Sequence, residues 1–384
     1  MTTATTTHAI AAPCPHFGRC GGCALQDRPL AANLEQKCGR VEGALRQAGF
    51  ENLPQPGTFQ VQPHSRRRMD LAVERVQGGV LLGLHARRGN PIDVADDCLL
   101  PRPEIAALFN PLEEVLATLG ALTKQGGVAI NLLDSGPDIT LELATEPSAP
   151  DRAKLADFAV QHDIARISWR PAPHKAVETL VLRRPVFHSF GPLKVSPPAA
   201  AFMQATVEAE KALADAVLVG LPKLNRKDRI FELYAGCGTL TGPLSEVGQV
   251  VAMEGHGPAE AALRSATKGL RITTQQRDLV RQPLQKNDLD KARVVVLDPP
   301  RAGAGPQMQP LAASSVQDVV YVSCSPESMA KDLAVLRRAG FAVLQWTVVD
   351  QFLWSPEVET VVVLTRDPKR LKKAAKQSEP IAPT

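Results

Sequence analysis

Two short apolar segments in the second half of the chain each end in residues that can do chemistry. Val294–Leu297 runs into Asp298-Pro299-Pro300-Arg301, and Val319–Val322 runs into Ser323-Cys324-Ser325-Pro326. Four apolar residues bounded by turn formers are typical of strands buried on both faces of a parallel sheet. Ligands bind outside the carboxyl ends of such strands. The sequence therefore predicts a reaction site at one sheet edge, with Asp298 and Cys324 in it.

The stretch around these segments alternates strand-like and helix-like patterns. Such alternation predicts a doubly wound, Rossmann-like α/β domain with a mostly parallel sheet. Strands are predicted at Arg229–Leu233, Gln249–Glu254, 293–297, 318–322, Phe341–Val349 and Val358–Leu364, and helices at Pro258–Lys268 and Glu327–Arg338.

The first half has short alternating runs broken by Gly and Pro, which predict an α+β domain with an antiparallel sheet. Gly78-Gly79 between two such runs reads as a hairpin turn. Strands are predicted at Met69–Glu74, Val80–His85 and Val128–Asn131, and helices at Arg102–Leu119 and Asp151–Asp163.

Length and charge give the expected organisation. A chain of 384 residues is long for one core, which predicts two domains. We expect a disordered leader over residues 1–12, an α+β domain over 13–195, the Rossmann-like domain over 196–366 and a solvated basic tail over 367–384. A net charge of +4 permits nucleic-acid binding without requiring it. No apolar run spans a membrane and no signal peptide is visible, so a monomeric cytoplasmic protein is expected.

A glycine-rich turn follows the first predicted strand of the second half. Gly236 and Gly238 permit the tight turn and close backbone approach that a nucleoside cofactor requires. Glu254 ends the next strand, where a carboxylate can accept hydrogen bonds from ribose hydroxyls. NAD and S-adenosylmethionine both fit this pattern. The third glycine, Gly242, is one position late for NAD, and Asp298-Pro299-Pro300 favours a methyltransferase.

The cysteines point to a second kind of site. Seven cysteines without a secretion signal favour metal binding or catalysis over disulfides. Three lie close together, around the glycine pair Gly21-Gly22, and a fourth is distant. This spacing suits a [4Fe-4S] cluster, whereas zinc, the alternative, prefers two close pairs. The predicted ligands are Cys14, Cys20, Cys23 and Cys98, while Cys38 and Cys237 are interpreted as packing residues.

With Arg301 and Cys324 included, the chain resembles the uracil-C5 RNA methyltransferases that modify tRNA and 23S rRNA. The resemblance extends from about residue 14 to residue 366 and is closest to the iron–sulfur-containing branch that methylates 23S rRNA. The matching motifs are segments 14–23, 66–69, 83–98, 202–204, 234–242, 298–301, 323–326 and 358–360.

The resemblance implies an S-adenosylmethionine-dependent transferase with Cys324 as nucleophile and Glu359 as general base. The chemistry itself gives Arg301 a supporting role, which is either to hold Cys324 as a thiolate or to bind an enolate oxygen. Several positions depart from the family: Ser325 stands where Asn is usual, Met203 stands where Phe is usual, and Glu357 replaces a His. The helix after Glu254 also lacks the usual Asn-rich ending. The implied cofactor site comprises Gln204, Tyr234, Thr239, Glu254 and Asp298, with Gly236, Gly238 and Asp278 beside it; Asp278 either faces the adenine or is a solvated loop acid.

The chemistry of uracil explains why such residues are needed. Carbon 5 is a poor nucleophile until a thiolate adds at carbon 6, and a base must afterwards remove the carbon-5 proton. The base must also leave its stack, so the substrate is a loop or partly open RNA.

The preferred substrate is 23S rRNA, with tRNA as the alternative. Three arginine runs are Arg66–Arg68, Arg87-Arg88 and Arg183-Arg184. Each by itself is typical of a solvated face, but together, beside a base-modifying site, they are predicted to contact phosphates. Two other hypotheses compete, a non-catalytic RNA-binding protein on the same fold and a Rossmann oxidoreductase. The presence of both Cys324 and Glu359 disfavours the first, and the late third glycine disfavours the second.

Overall fold

The first half of the chain forms a seven-stranded, mainly antiparallel sheet with helices packed on it. The computed structural model describes residues 9–86, 91–94 and 97–377. The predicted 102–119 helix is divided in two, because Pro111 lacks an N–H and is tolerated only in a first helical turn. The elements of this half are α1 (Leu30–Gln47), β1 (Gly57–Gln60), β2 (Arg68–Val76), β3 (Gly79–His85), β4 (Pro91–Asp93), α2 (Pro103–Ala106), α3 (Phe109–Thr118), β5 (Gln125–Leu133), β6 (Gly136–Leu143), α4 (Ala149–Gln161), β7 (Arg166–Arg170) and β8 (Glu178–Leu182).

The order of this sheet is β4-β3-β2-β5-β6-β7-β8. The predicted hairpin is confirmed, since β2 and β3 are antiparallel and pair Val76 with Gly79. Gly78 has a φ of 90°, a conformation that glycine adopts without the strain a side chain would bring.

The second half forms a mixed α/β sheet, and every strand predicted there is confirmed to within two residues. Its elements are β9 (His188–Phe190), β10 (Leu193–Val195), α5 (Val207–Gly220), β11 (Arg229–Leu233), α6 (Thr241–Val247), β12 (Gln249–Glu254), α7 (Gly257–Ala266), β13 (Ile272–Gln276), α8 (Lys286–Leu289), β14 (Val294–Leu297), α9 (Met308–Ala313), β15 (Asp318–Ser323), α10 (Pro326–Arg338), β16 (Ala342–Asp350), β17 (Glu359–Thr365) and α11 (Pro368–Gln377).

The eight strands lie in the order β1-β16-β17-β15-β14-β11-β12-β13. They are parallel except for β17, which runs antiparallel to both of its neighbours. Every residue of β14 and β15 is buried, which explains their unbroken apolar sequences. The carboxyl ends of β11, β12, β14 and β15 therefore meet at one edge.

The first half also contributes to this second sheet. β1 pairs with β16 in parallel, setting Gly57 against Thr347, and α1 packs against α10. The sequence did not predict this strand, which is short and partly exposed. The division of the chain at residues 195 and 196 remains a proposal.

A buried arginine joins the two halves. Arg67 is 1% exposed; its Nε donates to the Gln204 carbonyl at 3.0 Å and its Nη1 lies 2.8 Å from His188 Nε2. It also forms an ion pair with Glu210. The prediction that Arg67 contacts phosphate is therefore wrong, because its guanidinium is enclosed and its hydrogen bonds are made within the protein.

The other predicted phosphate contacts have mixed outcomes. Arg183 and Arg184 both pair with Asp163, at 2.8 and 2.7 Å. Arg87 and Arg88 lie outside the described residues, as do residues 1–8 of the predicted leader and the last seven residues of the tail. The rest of the predicted tail includes helix α11, which Arg370 attaches to Asp318. No helix within the described ranges combines the length and apolar character that a membrane crossing requires.

Candidate active site

Cys324 and Glu359 adjoin the last residue pair of two antiparallel strands. The β15–β17 register ends with Ser323 paired with Thr360; Cys324 is the next residue of the turn after β15, and Glu359 is the first residue of β17. Cys324 is half-buried and Glu359 is 5% exposed. The charge of Glu359 acts on the Cys324 thiol, so the two side chains belong to one site.

Local hydrogen bonds keep Cys324 outside helix α10. Ser325 is the N-cap, and its Oγ accepts from the Ser328 N–H at 3.3 Å. Ser323 Oγ accepts from the Ser325 N–H and donates to the Ser325 carbonyl, both at 3.0 Å. Ser325 thus has a capping role, and the turn presents Cys324 at the sheet edge.

Asp298 stands at the end of the neighbouring strand. Its N–H donates to the Leu233 carbonyl at 3.2 Å, which continues the β14–β11 ladder by one bond. Burial raises the pKa of its carboxyl to about 7. Asp298 and Glu359 each raise the pKa of Cys324, so all three predicted site residues act on each other electrostatically.

Without a bound cation this site favours the protonated forms. Burial, followed by the charges of Glu359 and Asp298, raises the pKa of the Cys324 thiol to about 11. Burial, followed by the charge of Asp298, raises the pKa of Glu359 to about 8. A positive charge placed among these groups would favour every ionised form and lower all three pKa values.

Arg301 is held by Glu357 across the site. Its two terminal nitrogens bond to the two carboxylate oxygens of Glu357 at 3.0 and 3.2 Å. The Arg301 charge still lowers the pKa of Cys324, although by less than burial and the two acids raise it. The charge of Arg301, which was predicted to support Cys324, is thus partly neutralised by Glu357. The sequence marked Glu357 only as a departure from the family.

The glycine-rich turn between β11 and α6 requires its glycines. Gly236 and Gly238 have φ values of 56° and 106°. A Cβ on Gly238 would lie 2.6 Å from Leu193 Cδ2, and one on Gly242 would lie 1.7 Å from the Phe190 carbonyl oxygen. The late third glycine therefore follows from the close approach of β9 to α6.

The predicted ribose-binding acid lies against this turn. Glu254 accepts from the Gly236 N–H at 2.8 Å and from the His256 N–H at 2.6 Å. Asp278 is exposed two residues beyond β13, and its carboxylate accepts from the Val280 N–H at 3.0 Å. A Cβ on Gly255 would lie 3.3 Å from the Asp278 Cα, so Asp278 adjoins the loop that follows Glu254.

Tyr234 and Thr239 occupy the turn itself, and both are half-buried. Tyr234 has a φ of 67°, a strained value for a residue with a side chain. Its hydroxyl donates to the Ala304 carbonyl at 3.3 Å, which connects the turn to the loop that carries Arg301.

Gln204 joins the site through a residue that the sequence did not single out. Gln351 donates from Nε2 to Gln204 Oε1 at 2.7 Å and to Glu359 Oε1 at 3.3 Å. Gln204 and Gln351 are 4% and 1% exposed. The sequence offered one signal that could have identified Gln351: an amide residue just after the end of a predicted strand, eight residues before the candidate base.

Phe202 is a second residue that gained meaning only from the structure. Its side chain is 65% exposed, two positions from the buried Gln204. The guanidinium of Arg68 lies over its ring, 5.2 Å from the ring centre. An exposed aromatic ring with an arginine over it is suited to stacking on an unpaired base.

The four predicted cysteine ligands form one neighbourhood. Cys20 and Cys23 are buried and the other two are half-buried. Burial, with added contributions from the other three thiols, raises the pKa of Cys98 to about 11. Within the described ranges no three His, Cys, Asp or Glu side chains are arranged to hold a metal ion. The full predicted set is Cys14, Cys20, Cys23 and Cys98.

The glycine pair in the cysteine loop has a steric cause. A Cβ on Gly21 would lie 2.8 Å from the His85 carbonyl oxygen, and one on Gly22 would lie 2.8 Å from Leu84 Cδ1. The Gly22 N–H also lies 3.3 Å from Cys20 Sγ, where it can donate to the sulfur. Close packing against the end of β3 thus requires Gly21, which meets backbone, and favours Gly22, which meets the movable end of a leucine side chain.

Comparison with known proteins gives consistent matches. The family model for tRNA (uracil-5-)-methyltransferase matches residues 263–367. An uncharacterized RNA methyltransferase of Brucella suis is 36% identical, covering 92% of this chain and 84% of the relative. One of Caulobacter vibrioides is also 36% identical, covering 93% and 86%. The 23S rRNA (uracil(1939)-C(5))-methyltransferase RlmD of Photorhabdus laumondii is 28% identical, covering 92% and 82%.

Among solved structures, the fold resembles that of the tRNA (uracil-54, C5)-methyltransferase of Pyrococcus abyssi in complex with S-adenosyl-L-homocysteine. The TM-score is 0.69 with 19% identity, covering 91% of this chain and 86% of that chain. This likeness concerns the fold. The sequence relatives show more, and the chain belongs to the family of RNA (uracil-C5) methyltransferases.

Proposed function

We propose that this enzyme transfers a methyl group from S-adenosylmethionine to carbon 5 of a uridine in 23S rRNA, through a covalent adduct on Cys324 that Glu359 resolves. The observation that supports the proposal is the electrostatic interaction of Glu359 with Cys324, next to the last pair of β15 and β17, Ser323 with Thr360. Asp298 on the adjacent strand acts electrostatically on both.

The cofactor would lie where β11, β12 and β14 end. Glu254 is positioned beside the glycine-rich turn for a ribose, and Asp278 lies near it. S-adenosylmethionine supplies the methyl group as a cation, and its charge suits an edge lined by carboxylates. Gln204, Tyr234, Thr239, Gly236 and Gly238 complete the proposed pocket. The solved Pyrococcus relative was obtained with S-adenosyl-L-homocysteine, which supports this cofactor over NAD.

Cys324 begins the proposed reaction. Once its proton has left to solvent, Sγ adds to carbon 6 of uracil, and the electron pair of the C5–C6 double bond moves onto the oxygen at carbon 4. Carbon 5 of this enolate takes the methyl group, leaving S-adenosylhomocysteine. Glu359 then removes the carbon-5 proton. The electrons of that C–H bond re-form the C5–C6 double bond, and the C6–Sγ bond breaks to return the thiolate.

A [4Fe-4S] cluster is proposed on Cys14, Cys20, Cys23 and Cys98. The mutual electrostatic influence of the four thiols supports this set, and thiolates are the usual ligands of such clusters. The Arg66 guanidinium acts on Cys23 and Cys98, which offsets the negative charge of thiolates. The cluster would hold the cysteine loop in place, and the methyl-transfer reaction does not require the cluster.

The relative that methylates 23S rRNA matches over most of the chain, which supports 23S rRNA as the substrate. The name of the matching family model favours tRNA as the second candidate. Phe202 and Arg68 are proposed to contact the bases next to the target.

The test is methyl transfer from labelled S-adenosylmethionine to 23S rRNA and tRNA transcripts, followed by mass mapping of 5-methyluridine. Cys324→Ala should abolish transfer to carbon 5 and the covalent RNA adduct. Cys38→Ala, which changes a half-buried cysteine on α1, is the matched control and should retain both. Full methylation by Cys324→Ala would rule out the proposed mechanism, and methylation of tRNA alone would favour the second substrate.

A further inference from the structure

Gln351 makes hydrogen bonds with every polar group of its amide. It is 1% exposed and follows the last residue of β16. Its Oε1 accepts from the Ala205 N–H at 2.9 Å. Its Nε2 donates to Gln204 at 2.7 Å and to Glu359 at 3.3 Å. The side chain of Gln351 thus contacts both Gln204, a predicted cofactor-binding residue, and Glu359, the predicted base.

The contact with Ala205 fixes which way the amide points. A backbone N–H can only donate, so the atom of Gln351 that faces it must be the oxygen. The nitrogen then faces Gln204 and Glu359, and both must present oxygen to it. Gln204 therefore directs its own NH₂ group elsewhere, as a donor, and the oxygen of Glu359 that Gln351 occupies is Oε1.

The backbone on both sides of Gln351 is anchored. Lys37 pairs with the Asp350 carboxylate and donates to the Phe352 carbonyl at 2.9 Å. Gln60 Nε2 donates to the other oxygen of Asp350 at 3.0 Å. The amide of Gln351 therefore has little freedom to swing away from Glu359, and the hydrogen bond restricts the orientation of a carboxylate that would otherwise rotate.

We propose that Gln351 is a positioning residue for the release step: it holds one oxygen of Glu359, stabilises the ionised carboxylate, and couples the orientation of this base to that of Gln204. The inference rests on the proposed function, since it takes Glu359 as the base that resolves the Cys324 adduct. A hydrogen bond that favours the carboxylate lowers the pKa of Glu359.

The experiment measures adduct formation and adduct release separately, with denaturing gels of stoichiometric enzyme, RNA and S-adenosylmethionine across pH 6–10. Gln351→Met keeps the length of the side chain and removes its donors. We expect it to form the adduct but to release product about tenfold or more slowly, with the midpoint of the release profile displaced to higher pH. Gln351→Glu keeps the size, puts an acid beside Glu359, and should displace the midpoint in the same direction.

Gln345→Met is the matched control, because it makes the same substitution at a half-buried position of β16, six residues before Gln351. It should leave the release midpoint unchanged. Release by Gln351→Met and Gln351→Glu at the wild-type rate and midpoint would overturn the inference. If Glu359→Gln accumulates the adduct while the Gln351 variants do not, the inference alone fails. If Glu359→Gln accumulates none, the assignment of the base fails, and the inference fails with it.

Discussion

Arg301 and Glu357 form a two-point ion pair at 3.0 and 3.2 Å between the loop after β14 and the segment before β17. The pair joins the two segments that carry Asp298 and Glu359. Glu357 stands where the resembling family usually has a His, so in this chain an anion pairs with the arginine whose charge lowers the pKa of Cys324.

The first prediction concerns this pair. Glu357→Gln should strengthen the effect of Arg301 on Cys324 and lower the pKa of the thiol, so that Cys324 is alkylated faster at pH 8. Both partners are more than a third exposed, and exposed pairs are worth up to about 1 kcal/mol, so the gain should not exceed about fivefold. Mass spectrometry of the Cys324 peptide after iodoacetamide treatment measures it.

The matched control is Asp215→Asn, which breaks another exposed pair, with Lys211 on α5. It should leave the alkylation rate unchanged. Equal or slower alkylation of a folded Glu357→Gln variant would show that Glu357 does not restrain Arg301.

The second prediction is that the free energy of unfolding of the cofactor-free enzyme falls as the pH rises from 5 to 8. Burial raises the pKa of Glu232 and of Glu359 from 4.5 to about 8. Between these values the folded state holds more protons than the unfolded state, so stability decreases with pH. The slope from each group is about 1.4 kcal/mol per pH unit at most.

Denaturant titrations at several pH values measure this slope. Glu359→Gln cannot ionise at that position and should flatten the profile by the contribution of one group. Added S-adenosylmethionine should flatten it more than S-adenosylhomocysteine does, because only the former carries a sulfonium cation. A profile that rises over this range would contradict the prediction.

The third prediction concerns the contact between the cysteine loop and the segment that joins β16 to β17. Trp354, with a φ of 57°, accepts at its carbonyl from the N–H groups of Ala24 and Leu25 at 2.7 and 2.9 Å. These amides directly follow Cys23. Because Cys98 is a proposed cluster ligand, Cys98→Ser should lower the iron and sulfide content. Loss of the cluster should loosen the cysteine loop, so the amides of Ala24 and Leu25 should exchange hydrogen faster.

Iron and acid-labile sulfide analysis and hydrogen exchange provide the two measurements. Cys38→Ser is the control and should change neither. A Cys98→Ser protein with the iron content of the parent would remove Cys98 from the ligand set. Unchanged exchange at the two amides despite iron loss would show that the loop holds its position without the cluster.

The fourth prediction concerns the exposed ring beside Gln204. Phe202→Ala should weaken RNA binding by about 1–3 kcal/mol, the range for one stacked base, without changing the affinity for S-adenosylmethionine. Filter binding and calorimetry measure the two affinities. Phe187→Ala removes another aromatic ring with a cation over it, from Lys194, and should leave RNA binding unchanged. An equal loss in both variants would argue against a stacking site at Phe202.

Local patterns were enough to predict much of the fold. The apolar runs of β14 and β15 gave strands because a segment buried on both faces must be apolar throughout. Gly78-Gly79 gave a hairpin because glycine accommodates positive φ. β1 was not predicted, because a four-residue strand at a sheet edge carries little pattern of its own.

The site was predicted residue by residue and its connections were not. Chain position gave Cys324 and Asp298 as strand-end residues. Which arginines can reach RNA depends on partners that are distant in the chain. Arg67 was predicted to bind phosphate but is buried against Gln204 and Glu210.

The sequence by itself determined the order of the strands along the chain, the strand ends that carry reactive groups, and the family to which those motifs belong. These are properties of neighbouring residues and of spacing. Only the tertiary structure decided that Glu359 acts on Cys324, that Gln351 reaches both Glu359 and Gln204, and that Glu357 holds Arg301. Those contacts depend on the register of β17 between β15 and β16 and on the packing of loops that are far apart in the chain, and no local pattern encodes either.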